Sequence, residues 1–207
     1  MNSTFNNNAA NVILCAALSG IVRQLLTYSK ENNININIVG SKGSGKSTIQ
    51  HLVMSLFGNP EKLEGSFIDT ENAEAQIRVE RAIIPYILDE RALKVESSSD
   101  KKKATDLLLN IFREYEGKIK SKLSTKYNEA SASAYGAVIS SSVVSIFGTI
   151  YEGGKTEDLG QYRRFIELEL KREDIFEGKS RVVDEYHNLS YQYYGIGVKY
   201  IANYIMN

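Results

Sequence analysis

The sequence predicts a three-layer α/β/α protein: a mainly parallel sheet covered by helices on both faces. Three observations carry this. Short apolar or alternating runs at 34–39, 85–88, 135–139 and 165–170 read as strands. Stretches with apolar residues at helical spacing lie between them. A glycine-rich turn, Gly40 to Gly45, joins the first strand directly to a helix.

The elements follow in order. Residues 1–9 are Asn-rich and lack Lys and Arg, which suggests a disordered lead-in and argues against a secretory signal. Residues 10–207 are expected to form one domain. Leu14, Leu18, Ile21 and Leu25 recur at helical spacing, so 10–29 is expected to be an amphipathic helix. Ile34-Asn-Ile-Asn-Ile-Val39 alternates as a strand does. A second helix is expected over 46–57, stopped by Gly58-Asn59-Pro60. Phe67-Ile68 suggests a short strand, and 71–81 reads as helical.

Pro85 suits the first position of the next strand, which runs to Leu88. Residues 96–103 are polar and read as a loop. Leu107, Leu108, Ile111 and Phe112 share one side of a helix over 104–115. Residues 118–127 suggest a hairpin arm. Tyr135 to Ile139 is a strand ending in Ser140-Ser141-Ser142, and Phe165 to Leu170 alternates apolar with acidic residues. The tail holds Tyr191, Tyr193 and Tyr194, for which core packing is expected, and then a helical pattern over Ile196–Met206.

Composition narrows the function classes. Lys+Arg and Asp+Glu are both 25, so no global charge marks a nucleic-acid binder, and such a role needs a local basic patch. The single cysteine, Cys15, excludes an internal disulfide and a Cys/His metal site. A reducing, cytoplasmic setting is expected. The apolar stretch 12–26 is broken by Ser19, Gly20, Arg23 and Gln24, short of the roughly 20 residues a membrane span needs.

Gly40-Ser41-Lys42-Gly43-Ser44-Gly45-Lys46-Ser47-Thr48 matches the P-loop pattern G-x-x-x-x-G-K-[ST] at every position. Glycines let the backbone curl around a phosphate and turn N–H groups inward. The following helix directs its positive dipole end at the same anion. Lys46 is expected at the β/γ-phosphates of ATP and the Ser47 hydroxyl on Mg²⁺. Ile87-Leu88-Asp89-Glu90 offers the acid such a site needs. Asp89 is expected at the metal and Glu90 as the base that polarises water. A surface turn rich in acids is the plainer alternative.

Ser140 and Ser141 end the next strand and could hydrogen-bond the attacking water or the γ-phosphate, although serine is common at strand ends. Arg163-Arg164-Phe165 precedes the last strand. Arg164, or Arg163, could stabilise transition-state charge at a neighbouring subunit's phosphate; a solvated arginine pair is the alternative. Lys118, Lys120 and Lys122 alternate and share one strand face. They could contact nucleic-acid phosphates without reading sequence. They could equally protect an edge strand against aggregation. Lys101-Lys102-Lys103 reads as a solvated loop, His51 as a packing or surface residue, and His187 has no evident partner.

The order of features resembles the AAA+ ATPases, above all the helicase-like domain in primase-helicases of phages, plasmids and mobile cassettes. That group is similar to minichromosome-maintenance-type helicases. The resemblance rests on Ala16-Ala17-Leu18-Ser19-Gly20, the P-loop, Phe57-Gly58-Asn59-Pro60, Thr70-Glu71-Asn72-Ala73-Glu74 and Leu88-Asp89-Glu90. It continues through Gly117-Lys118, Ile139-Ser140-Ser141, Arg164-Phe165 and Tyr194-Gly195. The family often carries Ser-Ser-x-Gly-Lys-Thr-Thr at the cradle, where this chain reads Lys42 to Thr48 differently. The resemblance implies a P-loop NTPase fold with an AAA+-like core and an ATP- and Mg²⁺-dependent helicase motor. It also implies a ring-type homo-oligomer acting on nucleic acid, DNA being the first expectation, with Arg164 acting in trans. A P-loop nucleotide or small-molecule kinase, or an ATP-dependent switch without motor activity, stays open.

Overall fold

The computed structural model describes residues 8–25, 34–65, 83–89, 136–148, 165–171 and 180–206. Its strands are β1 (Asn35–Val39), β2 (Glu64–Gly65), β3 (Tyr86–Leu88), β4 (Val138–Ser142) and β5 (Ile166–Glu169). Its helices are α1 (Asn8–Leu25), α2 (Lys46–Ser55), α3 (Pro60–Leu63), α4 (Ser180–Gln192) and α5 (Ile196–Met206). The strands form one sheet in the order β2-β3-β4-β1-β5, and every neighbouring pair is parallel. All five carboxyl ends therefore lie along one edge, where open α/β sheets bind ligands.

The two faces differ in chemistry. Ile36 and Ile38 of β1, Ile87 of β3 and Ile139 of β4 share one face. They join Ile13, Ala16, Ala17 and Ile21 of α1 and Ile49, Val53 and Met54 of α2 in the main core. Each fully buried isoleucine contributes about 1.5–3 kcal/mol. The opposite face carries Asn35, Asn37, Tyr86, Leu88, Val138 and Ser140, all buried as well. The sheet is thus covered on both sides, in the three-layer α/β/α arrangement. This explains why the alternation in β1 does not mark a solvent face. Asn37 is fully buried because its side chain is satisfied: Nδ2 donates to Ser142 Oγ at 2.9 Å and Glu167 Oε2 at 3.1 Å.

Several boundaries depart from expectation. Helix α1 begins at Asn8, so Asn8 and Ala9 are helical where disorder was expected, and Ala9 packs on the core. The three serines end β4, as expected, paired in register with Asn37, Ile38 and Val39. Serine is a weak strand former, but here each hydroxyl has a partner. A short strand occurs at Glu64–Gly65; the one expected at 67–68 falls outside the described residues, as do the segments at 71–81, 96–103, 104–115 and 118–127.

The C-terminal helices hold the far end of α2. Gly195 N donates to Ser55 O at 2.6 Å and Val198 N to Leu56 O at 3.0 Å, satisfying carbonyls that the end of a helix leaves open. Tyr191 is half-buried, but Tyr193 and Tyr194 are exposed, so core packing does not hold for those two. The segment turns at Gly195 and aims them outward.

Candidate functional site

The loop Gly40–Thr48 leaves the carboxyl end of β1 and enters α2. Gly40 N donates to Ser142 O at 3.2 Å, and Leu170 N donates to Val39 O at 2.7 Å, so β4 and β5 grip the loop's root from both sides. A Cβ at Gly40 would stand 2.5 Å from Leu170 O and 2.5 Å from Ser44 Oγ, so only glycine fits. Ser44 N closes a turn onto Ser41 O at 3.1 Å. Gly43 and Gly45 hold φ of 81° and 92°, a left-handed conformation that side chains disfavour.

Gly45 is the N-cap of α2, and no side chain caps that end. The N–H groups of the first turn, from Lys46 to Thr48, are therefore left to meet an anion. Lys46 is buried, and its Nζ donates to Gly40 O at 2.6 Å and Ser41 O at 3.0 Å. The ammonium is held inside the loop rather than in solvent. Ser41, Lys42 and Gly43 form the exposed rim, and Ser47 and Thr48 are half-buried. Such a cradle can surround a phosphate with N–H donors and one cation.

The acid sits one strand away. Strand β4 separates β1 from β3, whose last residue leads into Asp89. Asp89 is 5% exposed, and its Oδ1 accepts from Ser141 Oγ at 3.1 Å. Ser141 lies in register with Ile38, on the face that α2 covers. Ser140 points to the other face. Its Oγ donates to Asn37 Oδ1 at 2.9 Å and is 3.4 Å from Ile36 O. Of the two serines expected at the strand end, Ser140 thus joins a buried network with Asn37, and Ser141 meets the acid. Strand alternation is the signal that separates them.

Glu90 falls outside the described residues, as do Arg163, Arg164, Lys118, Lys120 and Lys122. The chain that follows Arg164 is well anchored. Phe165 is buried and stacks on Phe147 with ring centroids 4.6 Å apart. Glu167 accepts from Ser145 Oγ at 2.5 Å and Ile146 N at 2.8 Å, tying β5 to the turn after β4.

His51, on α2, is buried, with Nε2 3.5 Å from Glu64 Oε2 and Nδ1 3.2 Å from Tyr191 Oη. His187 is not isolated: its ring lies 4.8 Å from that of Tyr191 and 6.1 Å from that of His51. These contacts dock α4 on α2, away from the cradle end of the helix. No group of three or more His, Cys, Asp or Glu side chains that could hold a metal occurs among the described residues. That does not exclude Mg²⁺, which takes one or two carboxylates together with substrate phosphates rather than an all-protein cage. No described helix is long and apolar enough to cross a membrane.

A solved structure described as "SCCmec type IV Cch - active helicase" superposes with a TM-score of 0.67 at 19% sequence identity. The match covers 99% of this chain and 35% of that one, so this chain spans about a third of that protein's length. At this identity the likeness establishes a shared fold. No curated protein matches the chain. A family model described as a domain of unknown function, DUF927, matches residues 2–130, more than half of the sequence, and the chain belongs to that family.

Proposed function

We propose that this chain is the ATP-binding and hydrolysing motor core of a nucleic-acid helicase or translocase, of the kind carried by mobile-element replication proteins. One observation carries the proposal: the loop Gly40–Thr48, Asp89 and Ser141 all lie at the carboxyl ends of neighbouring strands of a single parallel sheet, and Ser141 is hydrogen-bonded to Asp89. The likeness to a chain described as an active helicase supports the helicase half of the reading.

The donor set fits a Mg²⁺-nucleotide. The cradle excludes a Cβ at Gly40, leaves the first turn of α2 without a side-chain cap, and holds one buried cation, Lys46. When bound, Mg²⁺ neutralises charge on the β- and γ-phosphates. Lys46 exchanges the carbonyls of Gly40 and Ser41 for those phosphate oxygens. Ser47 and Asp89 would hold the metal, with Ser141 orienting Asp89. Glu90, next in sequence, takes the proton of the attacking water. Arg164 of an adjacent subunit in a ring-type homo-oligomer stabilises the transition-state charge. Lys118, Lys120 and Lys122 contact nucleic-acid phosphates, DNA first.

The test is steady-state ATP turnover with Mg²⁺, with and without single-stranded DNA, alongside light scattering to follow nucleotide-induced assembly. DNA-stimulated hydrolysis in an assembled state is expected. Lys46→Ala should abolish turnover and weaken nucleotide binding. Wild-type turnover in that variant would remove the P-loop assignment. Phosphate delivered to a small molecule rather than to water would replace the motor by a kinase.

A further inference from the structure

One buried polar side chain near the site has no role in the scheme above. Gln50 lies one helical turn beyond Lys46, on the same face of α2. It is fully buried. Its Nε2 donates to Leu88 O and to Ile139 O, each at 3.3 Å. The first carbonyl immediately precedes Asp89 in the chain. The second precedes Ser140 and stands two residues before Ser141.

We propose that Gln50 is a positioning residue for ATP hydrolysis: its amide links the cradle helix to the strand ends bearing Asp89 and Ser141 and fixes the carboxylate relative to the phosphates. This rests on the P-loop ATPase reading. The three parts of the site stand on separate elements, α2, β3 and β4. Ladder bonds hold β3 to β4, and the Ser141–Asp89 bond joins their ends. Neither fixes their height relative to α2. Apolar packing resists separation but tolerates sliding, whereas an amide with both N–H groups engaged fixes position along two directions.

The chemistry of the amide points the same way. Nε2 must face the two carbonyls, since the reverse orientation would set oxygen against oxygen. Oε1 is then left buried with no hydrogen-bond partner among the described residues. A leucine or methionine would fill this volume without the unpartnered Oε1, and Leu88 and Ile139 each stay paired in the β3–β4 ladder, so stability alone does not favour glutamine here. What only glutamine supplies is the double donation across β3 and β4.

The experiment uses the full chain with Gln50→Leu and Gln50→Met, the second being an unbranched residue that adapts to irregular space. Thermal unfolding, Mg²⁺-free nucleotide affinity, KM and kcat are measured for each. Melting at or above the wild-type temperature is expected, with unchanged affinity and KM. Turnover should fall by about ten-fold or more, since a misplacement of about 1 Å can lower rate by 10²-fold. A kcat equal to wild type in a folded variant overturns the proposal. So does a loss of kcat that tracks a loss of melting temperature in both variants, or failure of both to fold, since either outcome makes Gln50 structural. A wild-type protein that binds no nucleotide would instead remove the ATPase reading, and this inference with it.

Discussion

Ser141 Oγ donates to Asp89 Oδ1 at 3.1 Å, while the adjacent Ser140 turns to the opposite face of the sheet and donates to Asn37 Oδ1 at 2.9 Å. One strand thus places one hydroxyl at the acid and the next in a buried polar network. The two alanine variants should part accordingly. Ser140→Ala leaves the Asn37 carbonyl without that donor and should cost about 1–3 kcal/mol of stability. At this chain length that lowers the melting temperature by roughly 2–4 °C per kcal/mol, with kcat retained. Ser141→Ala should lower kcat by about ten-fold by removing a hydrogen bond that orients Asp89. Calorimetry and steady-state turnover on both proteins decide it, and a greater turnover loss for Ser140→Ala would reverse the assignment.

Gly40 tests whether the cradle's root is as crowded as its geometry requires. The added methyl group of Gly40→Ala would meet a backbone carbonyl, that of Leu170, at 2.5 Å, and backbone cannot swing aside as a side-chain tip can. Overpacking of this kind costs about 1–3 kcal/mol. Nucleotide affinity should fall along with the melting temperature. Gly43→Ala meets nothing within 4 Å and carries only the strain of its positive φ, so it should be the milder change. Equal effects in the two variants would show that backbone conformation, not crowding, governs the loop.

Glu90→Gln separates binding from chemistry. The substitution keeps shape and removes the carboxylate proposed to accept the water proton. Mg²⁺-nucleotide should bind with near wild-type affinity while kcat falls by about 10²-fold or more, the upper range for a positioned base. Fluorescent nucleotide titration and turnover on the same preparation read both quantities. Unchanged turnover would return the role of base to another group.

The strand pattern and the cradle were legible because they rest on local rules. Gly43 and Gly45 announce left-handed backbone, and a strand and a helix flank them, so the loop's form follows from its letters. The serine run at the end of β4 was legible as a strand end, but not which hydroxyl meets the acid. That follows from pairing with β1, which sets Ser141 against Ile38 and Ser140 against Asn37, a tertiary effect that a single segment does not display. Gln50 was invisible for a related reason. Its partners, Leu88 and Ile139, are backbone carbonyls on two distant strands, and nothing in the composition of α2 signals them. The contact between His51 and Tyr191 spans 140 residues and is likewise a product of folding.

The sharpest test of the motor reading concerns Arg164. The next residue in sequence, Phe165, is buried and stacked on Phe147 just before β5. If Arg164 acts on the next subunit's phosphate, Arg164→Ala leaves each subunit's own cradle intact. Nucleotide binding should persist, and turnover should fall by about 10³-fold, the lower end of what a trans-acting arginine contributes. Lys46→Ala has the complementary defect, a dead cradle beside an intact arginine. Neither variant alone can assemble a complete site. Mixed under conditions of subunit exchange, they should regain measurable activity, because a subunit with an intact Lys46 can then face an intact Arg164. The recovered fraction should rise with the proportion of mixed interfaces as the ratio of the two proteins is varied. Arg163→Ala, carried through the same mixing series, shows which of the two arginines makes the contact. A mixture that stays inactive while the subunits demonstrably exchange, or a monomer with full turnover, rules out a shared site. The chain would then be a nucleotide enzyme that works alone, with no role for Arg164 in turnover.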